Sequence, residues 1–387
     1  MVAVERRCIG RGGRRLTGQA FDFDAVVAGA GAVGLGCAYA LARRGLDVLV
    51  MEAREAIGQG VSARSSEVIH AGLYYPTDTL RARLCVAGRR ALYDFLQSHG
   101  VAHRRCEKLV VASAADEGAR LEAVFAQARI NGVEEISMID GAAARRLEPQ
   151  LSAEAAILSR TSGVFDSAGY LLALRGEIEA AGGAIALGAP LAFAVQRVGG
   201  GFEVRAGGAA PAVVSTRRLV LAPGLGAQET AARVEGYPLA VIPQRRLGKG
   251  VFYRLHGPSP FERLIYPVPI PGALGTHYRQ DIWGQALFGP DLCYVEQEDY
   301  SVGPEREASV REAVARFWPG VAGATLSPDY AGIRPKIHGP DEPQPDFRLD
   351  GSETHALDGL LALFGMESPG LTASLAIGEE VAARLGL

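Results

Sequence analysis

The sequence of 387 residues is short of lysine, cysteine and long apolar runs, and each shortage excludes something. Its 5 cysteines are scattered without any C-x-x-C pair, which argues against a zinc site or a disulfide framework and indicates a reducing compartment. No segment reaches the roughly 18 consecutive apolar residues that a membrane-spanning helix needs. We therefore expect a soluble, cytoplasmic protein with no metal site, long enough for two packed domains.

Charge is distributed unevenly along the chain. The formal net charge is −3, but residues 1–20 contain five arginines and one glutamate, so the remainder carries −7. A body of this sign does not attract nucleic acid. The arginine-rich start lacks the apolar segment of an export signal, and chain ends are where disorder concentrates. We expect residues 1–20 to be a disordered extension or the product of a start codon placed too early.

The pattern that follows predicts a strand, a helix and a second strand. The apolar run Phe21–Ala28 ends at glycine, Ala32–Arg44 suits a helix, and Leu46–Glu52 suits a buried strand. Between the first strand and the helix lies the G-x-G-x-x-G motif Gly29-Ala30-Gly31-Ala32-Val33-Gly34. This order is typical of a Rossmann-like dinucleotide-binding unit.

Each small residue of the motif has a physical reason. Gly29 permits the tight turn, Gly31 lets a pyrophosphate approach the backbone, and Gly34 lets the helix pack closely on the sheet. Glu52 lies 23 residues after Gly29, near the offset of about 20 at which a carboxylate accepts the ribose hydroxyls. A glycine turn without a ligand is the alternative, but the strand, helix and acid in register favour a dinucleotide.

Four segments carry a resemblance to a known family. They are Ser62–Pro76, which contains Ser65-Ser66 and Val68-Ile69-His70, then Leu80–Gly88, Ala331–Lys336 and Phe364–Ser374. Together they resemble the D-amino-acid-oxidase-like FAD-dependent oxidoreductase superfamily, and within it most of all the L-2-hydroxyglutarate dehydrogenases and oxidases. FAD-type glycerol-3-phosphate dehydrogenases have a similar Ser-Ser and Ile-His-Gly stretch.

The resemblance implies FAD as the cofactor and a set of residues around it. Ser65 and Ser66 would line the flavin's ribityl chain and pyrophosphate, Leu191 would contact the adenine, and Gly224 would follow a third FAD-binding strand. Independently, the loop before the last helix brings free N–H groups to a helix start, where they favour negative charge. The expected cofactor-binding residues are Gly29, Gly31, Ala32, Val33, Gly34, Glu52, Ala53, Arg54, Ser62, Arg64, Ser65, Ser66, Leu191, Gly224, Gly365, Glu367, Ser368, Pro369, Gly370, Leu371 and Thr372.

The expected fold class is α/β, or α+β overall. It consists of a Rossmann-like FAD-binding domain and a discontinuous second domain built on an antiparallel sheet, because 241–300 alternates aromatic and polar residues with many prolines. We assign 21–100, 155–240 and 325–387 to the FAD-binding domain, and 101–154 and 241–324 to the substrate domain.

Oxidation of a 2-hydroxy acid requires a base and a cation that holds the carboxylate, besides the flavin that accepts the hydride at N5. Histidine suits the base, and either His70 or His277 could serve, or each could be a buried structural histidine. Arginine offers a bidentate fork, so Arg334, expected in a loop, is the first candidate for the carboxylate and Lys336 is the second. Tyr75 and Tyr253 are candidates for hydroxyl contacts.

The sequence thus predicts an FAD-dependent enzyme that oxidises a small carboxylate substrate, foremost L-2-hydroxyglutarate or a related dicarboxylate, at the carbon that carries the hydroxyl. Oxidation of an amino acid or of glycerol 3-phosphate on the same scaffold is one alternative, and a non-catalytic flavin-binding subunit is another. Oxygen, a quinone or a carrier protein remain open as the electron acceptor. Peripheral contact with a membrane also remains open.

Overall fold

The computed structural model describes residues 21–269 and 275–387, so the expected extension at 1–20 lies outside the described residues. The strands are, in chain order, β1 Phe23–Ala28, β2 Val48–Met51, β3 Val68–Ile69, β4 His103–Arg104, β5 Lys108–Ala112, β6 Ile136–Asp140, β7 Ala155–Ser159, β8 Gly163–Phe165, β9 Ala184–Ala186, β10 Leu191–Gln196, β11 Phe202–Ala206, β12 Ala212–Leu221, β13 Arg246–His256, β14 Leu264–Pro267, β15 His277–Gln280, β16 Ala286–Gly289, β17 Cys293–Val295, β18 Thr325–Lys336, β19 Arg348–Asp350 and β20 Leu360–Phe364. The α-helices are α1 Ala32–Ala42, α2 Leu80–Ser98, α3 Gly118–Ile130, α4 Gly141–Leu147, α5 Ser167–Ala180, α6 Ala227–Ala232, α7 Glu307–Ala315, α8 Ser352–His355 and α9 Gly370–Arg384.

The first sheet has a parallel centre, in which β1 pairs with β2 and β12, β2 with β9, and β12 with β20. Strands β10, β11 and β19 extend it by antiparallel pairing. The central strands are buried on both faces, as their continuous apolar sequences require. The predicted strand, helix and strand at the start of the chain are confirmed, and α1 ends two residues earlier than expected, at Ala42.

Small residues allow the helices on one face of this sheet to approach each other closely. A Cβ atom on Gly36 of α1 would lie 2.4 Å from the carbonyl oxygen of Ser374 in α9. A Cβ atom on Gly378 of α9 would lie 2.2 Å from the carbonyl oxygen of Gly36. Helix α9 is therefore held against α1, and this contact fixes the loop that leads into α9.

The second sheet is mostly antiparallel and runs in the order β17, β13, β16, β15, β14, β5, β7, β6, with β18 paired to β13. Because side chains alternate along a strand, each face receives every second residue. One face forms an apolar core that includes Leu109, Ile265 and Tyr278. The opposite face carries polar residues, among them Lys108 and His277.

Two strands from segments assigned to the FAD-binding domain pair with strands of the second sheet. Strand β7 was placed with the FAD-binding segments, but it pairs antiparallel with β5 and β6 of the second sheet. Strand β18 was also placed there, but it pairs along the length of β13, and Arg334 lies on this strand instead of in a loop. Pairing between strands that are far apart in the sequence decides which sheet a strand joins, and the local sequence pattern does not contain this information.

A three-stranded sheet of β3, β8 and β4 connects the segment that contains His70 to the rest of the molecule. Within the described ranges, no helix combines the length and the apolarity that crossing a bilayer requires.

Candidate active site

A single large cavity in the described part of the chain, about 1670 Å³ in volume, is lined by most of the predicted site residues. Its wall combines the glycine motif, the loop 61–66, the start of α9 and the polar face of the second sheet. Pockets for one small molecule usually measure roughly 300–1,000 Å³. This cavity therefore has room for a dinucleotide together with a small substrate.

All the predicted site residues line this cavity except Gly34, Gly365 and Tyr253. The lining residues among them are Gly29, Gly31, Ala32, Val33, Glu52, Ala53, Arg54, Ser62, Arg64, Ser65, Ser66, His70, Tyr75, Leu191, Gly224, His277, Arg334, Lys336, Glu367, Ser368, Pro369, Gly370, Leu371 and Thr372. The structure thus brings together residues that are more than 300 positions apart in the sequence.

The glycine motif forms a cradle that side chains would fill. Gly29 has φ +107°, and a Cβ atom there would lie 2.5 Å from the carbonyl oxygen of Ala222. Gly34 faces the turn instead of the cavity, since its Cβ atom would lie 1.9 Å from the carbonyl oxygen of Gly29. Gly34 therefore acts through close packing of α1, as its place in the motif predicts, and it is not part of the cavity wall.

Glu52 directly follows β2 and stabilises this cradle. One carboxylate oxygen accepts the backbone N–H of Ala30 at 2.7 Å, and the other accepts the N–H of Arg54 at 2.9 Å. Each oxygen has a second lone pair. The carboxylate can therefore hold the loop and still accept a ribose hydroxyl.

The loop 61–66, called the serine loop because it contains Ser62, Ser65 and Ser66, is held by hydrogen bonds from two sides. The hydroxyl of Ser62 accepts the N–H of Ala32 at 3.0 Å, at the first turn of α1. The hydroxyl of Tyr330 donates to the carbonyl oxygen of Ser65 at 2.8 Å, which ties the loop to β18. Arg64 donates to the carbonyl oxygen of Ala331 at 3.3 Å. The loop is consequently a rigid wall where the two sheets meet.

The start of α9 presents backbone more than side chains. Gly365 has φ +69° and turns the chain out of β20; it is not part of the cavity wall, and its expected cofactor contact stays a prediction. The hydroxyl of Thr372 accepts the N–H of His70 and donates to the carbonyl oxygen of Val68, so it is occupied within the protein. The free N–H groups of the first helical turn remain at this wall, and they can donate hydrogen bonds to an electron-rich edge of a ligand.

Glu367 lies in a buried cluster of charges. Its carboxylate is 3.0 Å from Nζ of Lys336 and 3.3 Å from a guanidinium nitrogen of Arg81, and it accepts the side-chain amide of Gln344 at 3.0 Å. Burial raises the pKa of Glu367, but Arg81 and Lys336 outweigh this effect and hold the pKa below its ordinary value. The charge of Lys336 is thus compensated inside the protein, which weakens its candidacy for the substrate carboxylate.

Arg334 is a cation of the cavity wall whose charge is not paired by any described carboxylate. It donates only to backbone carbonyls, those of Asp291 at 3.3 Å and Gly248 at 3.4 Å, and forms no ion pair with any residue in 21–269 or 275–387. Burial lowers its pKa, although a guanidinium stays charged in proteins. A carboxylate in the cavity would supply the missing counter-charge.

His277 presents one ring nitrogen without a partner. Its Nδ1 lies 3.1 Å from the carbonyl oxygen of Gly275, which can only accept, so Nδ1 carries the hydrogen and the neutral ring keeps a lone pair on Nε2. That Nε2 is buried without a partner among residues 21–269 and 275–387, and the ring stacks on Tyr266 with centroids 3.7 Å apart. Burial first, and then the charge of Lys108, holds the pKa of His277 well below its ordinary value.

His70 lines the same cavity. Its Nε2 is 3.4 Å from the hydroxyl of Ser368, and its Nδ1 has no partner among the described residues. Burial and the charge of Lys108 lower its pKa well below the ordinary value too. The hydroxyls of Tyr74, Tyr75 and Tyr266 are also buried without partners. Buried polar atoms are almost always satisfied, so this concentration marks the place of a ligand.

Tyr253 does not belong to the site. Its ring is fully buried in the apolar core on the far face of the sheet, and its hydroxyl donates to the carbonyl oxygen of Gly303. The neighbouring Phe252 lines the cavity instead. On a strand, a difference of one position reverses the face, and the aromatic pattern alone did not reveal which residue points inward.

Two cations near the site, Lys108 and Arg279, were not predicted, although the alternation of side chains along the strands could have indicated them. Lys108 is only 1% exposed, and its Nζ lies 3.9 Å from the centroid of the Tyr266 ring. Burial lowers the pKa of Lys108 to about 7. Arg279 follows His277 by two positions on β15, so both side chains leave the same face of the sheet.

A family model described as FAD dependent oxidoreductase matches residues 24–384. The chain belongs to this family. It is 34% identical to the mitochondrial L-2-hydroxyglutarate dehydrogenase of Arabidopsis thaliana over 93% of this chain and 82% of that one. It is 32% identical to the enzyme of the same name from Caenorhabditis elegans over 72% of this chain and 66% of that one.

Solved structures show the same fold at low sequence identity. L-α-glycerophosphate oxidase from Mycoplasma pneumoniae, with FAD bound, superposes with a TM-score of 0.83 at 21% identity, covering 94% of this chain and 95% of that one. Glycine oxidase from Geobacillus kaustophilus superposes with a TM-score of 0.77 at 18% identity, covering 95% of both chains. These likenesses confirm the predicted fold class.

The cofactor of this oxidoreductase is FAD, and the residues present fit it. The glycine cradle, the Glu52 carboxylate and the first turn of α1 suit the adenosine and pyrophosphate. The serine loop and the start of α9 form the walls beside the polar face of the second sheet, where a substrate would lie.

Proposed function

We propose that this enzyme oxidises a 2-hydroxy acid, foremost L-2-hydroxyglutarate, to the 2-oxo acid. The observation that carries the proposal is the unpartnered Nε2 of His277 in a cavity whose wall also holds the unpaired guanidinium of Arg334. One group can take a proton from a hydroxyl, and the other can hold a carboxylate. The names of the relatives from Arabidopsis thaliana and Caenorhabditis elegans support the choice of substrate.

Each residue has a defined task in this reaction. Arg334 binds the carboxylate beside the reacting carbon and fixes its orientation. His277, neutral because its pKa is lowered, accepts the hydroxyl proton on Nε2. His70 lines the same cavity and orients the hydroxyl, or replaces His277 as the base. The bound FAD supplies the hydride acceptor.

The second half of the cycle returns the electrons to oxygen, a quinone or a carrier protein. We propose a soluble acceptor or a quinone reached by peripheral contact, since no described helix could cross a bilayer. Comparison of the reoxidation rate in air with that after anaerobic addition of a quinone would distinguish them. The cytoplasmic location expected from the sequence stays a proposal as well.

The test is anaerobic mixing of the yellow holoenzyme with a substrate panel. We expect L-2-hydroxyglutarate to bleach the flavin near neutral pH, and the D enantiomer to be much slower because the positions of base and carboxylate fix one face of the substrate. Bleaching by glycerol 3-phosphate or by an amino acid alone would assign one of the alternative reactions. If no member of the panel bleached the flavin, the proposal would be wrong and a non-catalytic flavin subunit would replace it.

A further inference from the structure

Arg279 is a buried guanidinium that the protein leaves incompletely bonded. It is 2% exposed, and one terminal nitrogen donates to the hydroxyl of Tyr330 at 2.7 Å. Its Nε and its other terminal nitrogen are buried without a partner in the described part of the chain. Among residues 21–269 and 275–387, no carboxylate forms an ion pair with it.

This state is unfavourable unless something else supplies the acceptor. Removing a charge from water costs several kcal/mol or more when no counter-charge replaces the solvent. The neighbouring aromatic faces give only partial compensation, with the guanidinium carbon 5.2 Å from the Phe252 ring centroid and 5.8 Å from that of Tyr330. An anionic group of a ligand would satisfy the unpartnered N–H groups.

The position of Arg279 connects it with the substrate region. It shares a sheet face with His277, and Phe252, whose ring it approaches, lines the cavity. The positive charges of Lys108, Arg279 and Arg334 each lower the pKa of His277, so all three lie within electrostatic reach of that ring. A monocarboxylate needs one such guanidinium, whereas two without an ion pair in 21–269 and 275–387 lie near His277: Arg334 in the cavity wall, and Arg279 outside it, beside the wall residue Phe252.

We propose that Arg279 binds the second carboxylate of a dicarboxylate substrate, while Arg334 binds the carboxylate beside the reacting carbon. The inference deepens the proposed function, on which it rests for the place of the first carboxylate. It makes Arg279 the residue that selects dianions over monoanions. The substrate class is then a 2-hydroxy dicarboxylate of short chain length.

Binding of two unreactive acids to the oxidised holoenzyme tests this assignment without turnover. Glutarate and pentanoate have the same number of carbon atoms and differ by one carboxylate, and each is titrated while the flavin absorbance is followed. We expect Arg279→Gln to weaken glutarate binding about 10- to 100-fold, the range of a lost charged hydrogen bond, and to leave pentanoate binding unchanged. Arg254→Gln is the matched control, because Arg254 is a half-exposed arginine of the same sheet that pairs with Asp329.

A conservative variant protects the test against loss of the fold. If Arg279→Gln releases FAD, Arg279→Lys decides, since it keeps the charge but lacks the bidentate fork, and glutarate binding alone should weaken. Equal weakening of both acids, or no weakening of either, would overturn the assignment. Failure of L-2-hydroxyglutarate to bleach the flavin, with glutarate binding still dependent on Arg279, would sink the proposed reaction and leave this inference standing.

Discussion

At the scale of single residues, burial and charges without a partner determine how the side chains of the described site are protonated. His70 and His277 are both buried, and burial together with the charge of Lys108 keeps their pKa values below the ordinary 6.5. A base must be unprotonated to act. Both rings are therefore neutral and able to accept a proton at neutral pH. Histidines with an ordinary pKa would be partly protonated at this pH.

His277→Gln removes the proposed base and keeps a side chain of similar polarity. We expect the rate of anaerobic flavin reduction by L-2-hydroxyglutarate to fall by roughly 10²- to 10⁴-fold, the usual contribution of a positioned base. His70→Gln should have a smaller effect, and both variants should retain the yellow colour. If His70→Gln caused the larger loss, the two histidines would exchange roles, and if neither variant was slower, neither ring would be the base.

Lys108→Met tests how the charge of Lys108 acts on the two histidines. In the unaltered enzyme, the reduction rate should stay level from pH 7 downward and fall only below the ordinary histidine pKa of 6.5, because protonation of the base is delayed by its lowered pKa. Removal of the Lys108 charge raises both histidine pKa values, so the acid limb of the pH profile should move to higher pH.

Lys249→Met is the control for that shift, since Lys249 is a buried lysine of the same sheet whose ammonium already pairs with Asp299 at 2.6 Å. Its profile should match that of the unaltered enzyme. The groups next to Lys108 do not complicate the test, because burial raises the pKa of Cys85 to about 12 and raises that of Cys106. An unmoved acid limb in Lys108→Met would contradict the electrostatic role.

At the scale of secondary-structure elements, the connection between β1 and α1 carries the cofactor. Gly29→Ala places a side chain at φ +107°, against the carbonyl oxygen of Ala222. We expect the purified variant to contain much less FAD, as measured by the ratio of flavin to protein absorbance. Gly176→Ala, inside α5 with open space around it, is the control and should keep full FAD with about 0.5–1 kcal/mol of added stability. Full FAD occupancy in Gly29→Ala would show that the cradle is not the binding site.

The sequence predicted local elements well and long-range pairing poorly. The glycine motif and Glu52 were recognised because their spacing along the chain reflects their geometry, and the loop 61–66 was recognised through the family resemblance. Strands β7 and β18 lie in segments assigned to the FAD-binding domain, but hydrogen bonding to β5 and β13 places them in the second sheet. Alternation predicts that neighbouring residues on a strand face opposite sides of the sheet. It does not predict which of the two sides faces the cofactor.

That limit explains the individual errors in the candidate site. Tyr253 was chosen where Phe252 lines the cavity, and Arg279 was not chosen although it lies two positions after His277. Lys336 lines the cavity, and its contact with the substrate stays a prediction, but its pairing with Glu367 from the loop before α9 was not recognisable in the sequence. Contacts between segments far apart in the chain decided each case.

At the scale of the whole molecule, one cavity is shared by the two sheets, so a ligand there contacts both. FAD binds the folded protein, and such binding adds about 2.7 kcal/mol of stability at a free concentration 100 times the dissociation constant. We expect removal of FAD to lower the thermal unfolding midpoint and added FAD to restore it, whereas NAD should have no effect. A midpoint that did not respond to FAD would contradict the placement of the cofactor in this cavity.

The central claim is that His277 and Arg334 hold a 2-hydroxy acid whose carbon-bound hydrogen is removed with its electron pair. The most direct measurement is the rate of anaerobic flavin bleaching with L-2-hydroxyglutarate that carries deuterium at carbon 2. We expect bleaching that is slower with deuterium than with hydrogen and that yields 2-oxoglutarate in equal amount to the reduced flavin. A flavin that stays yellow, or a product other than the 2-oxo acid, would contradict it.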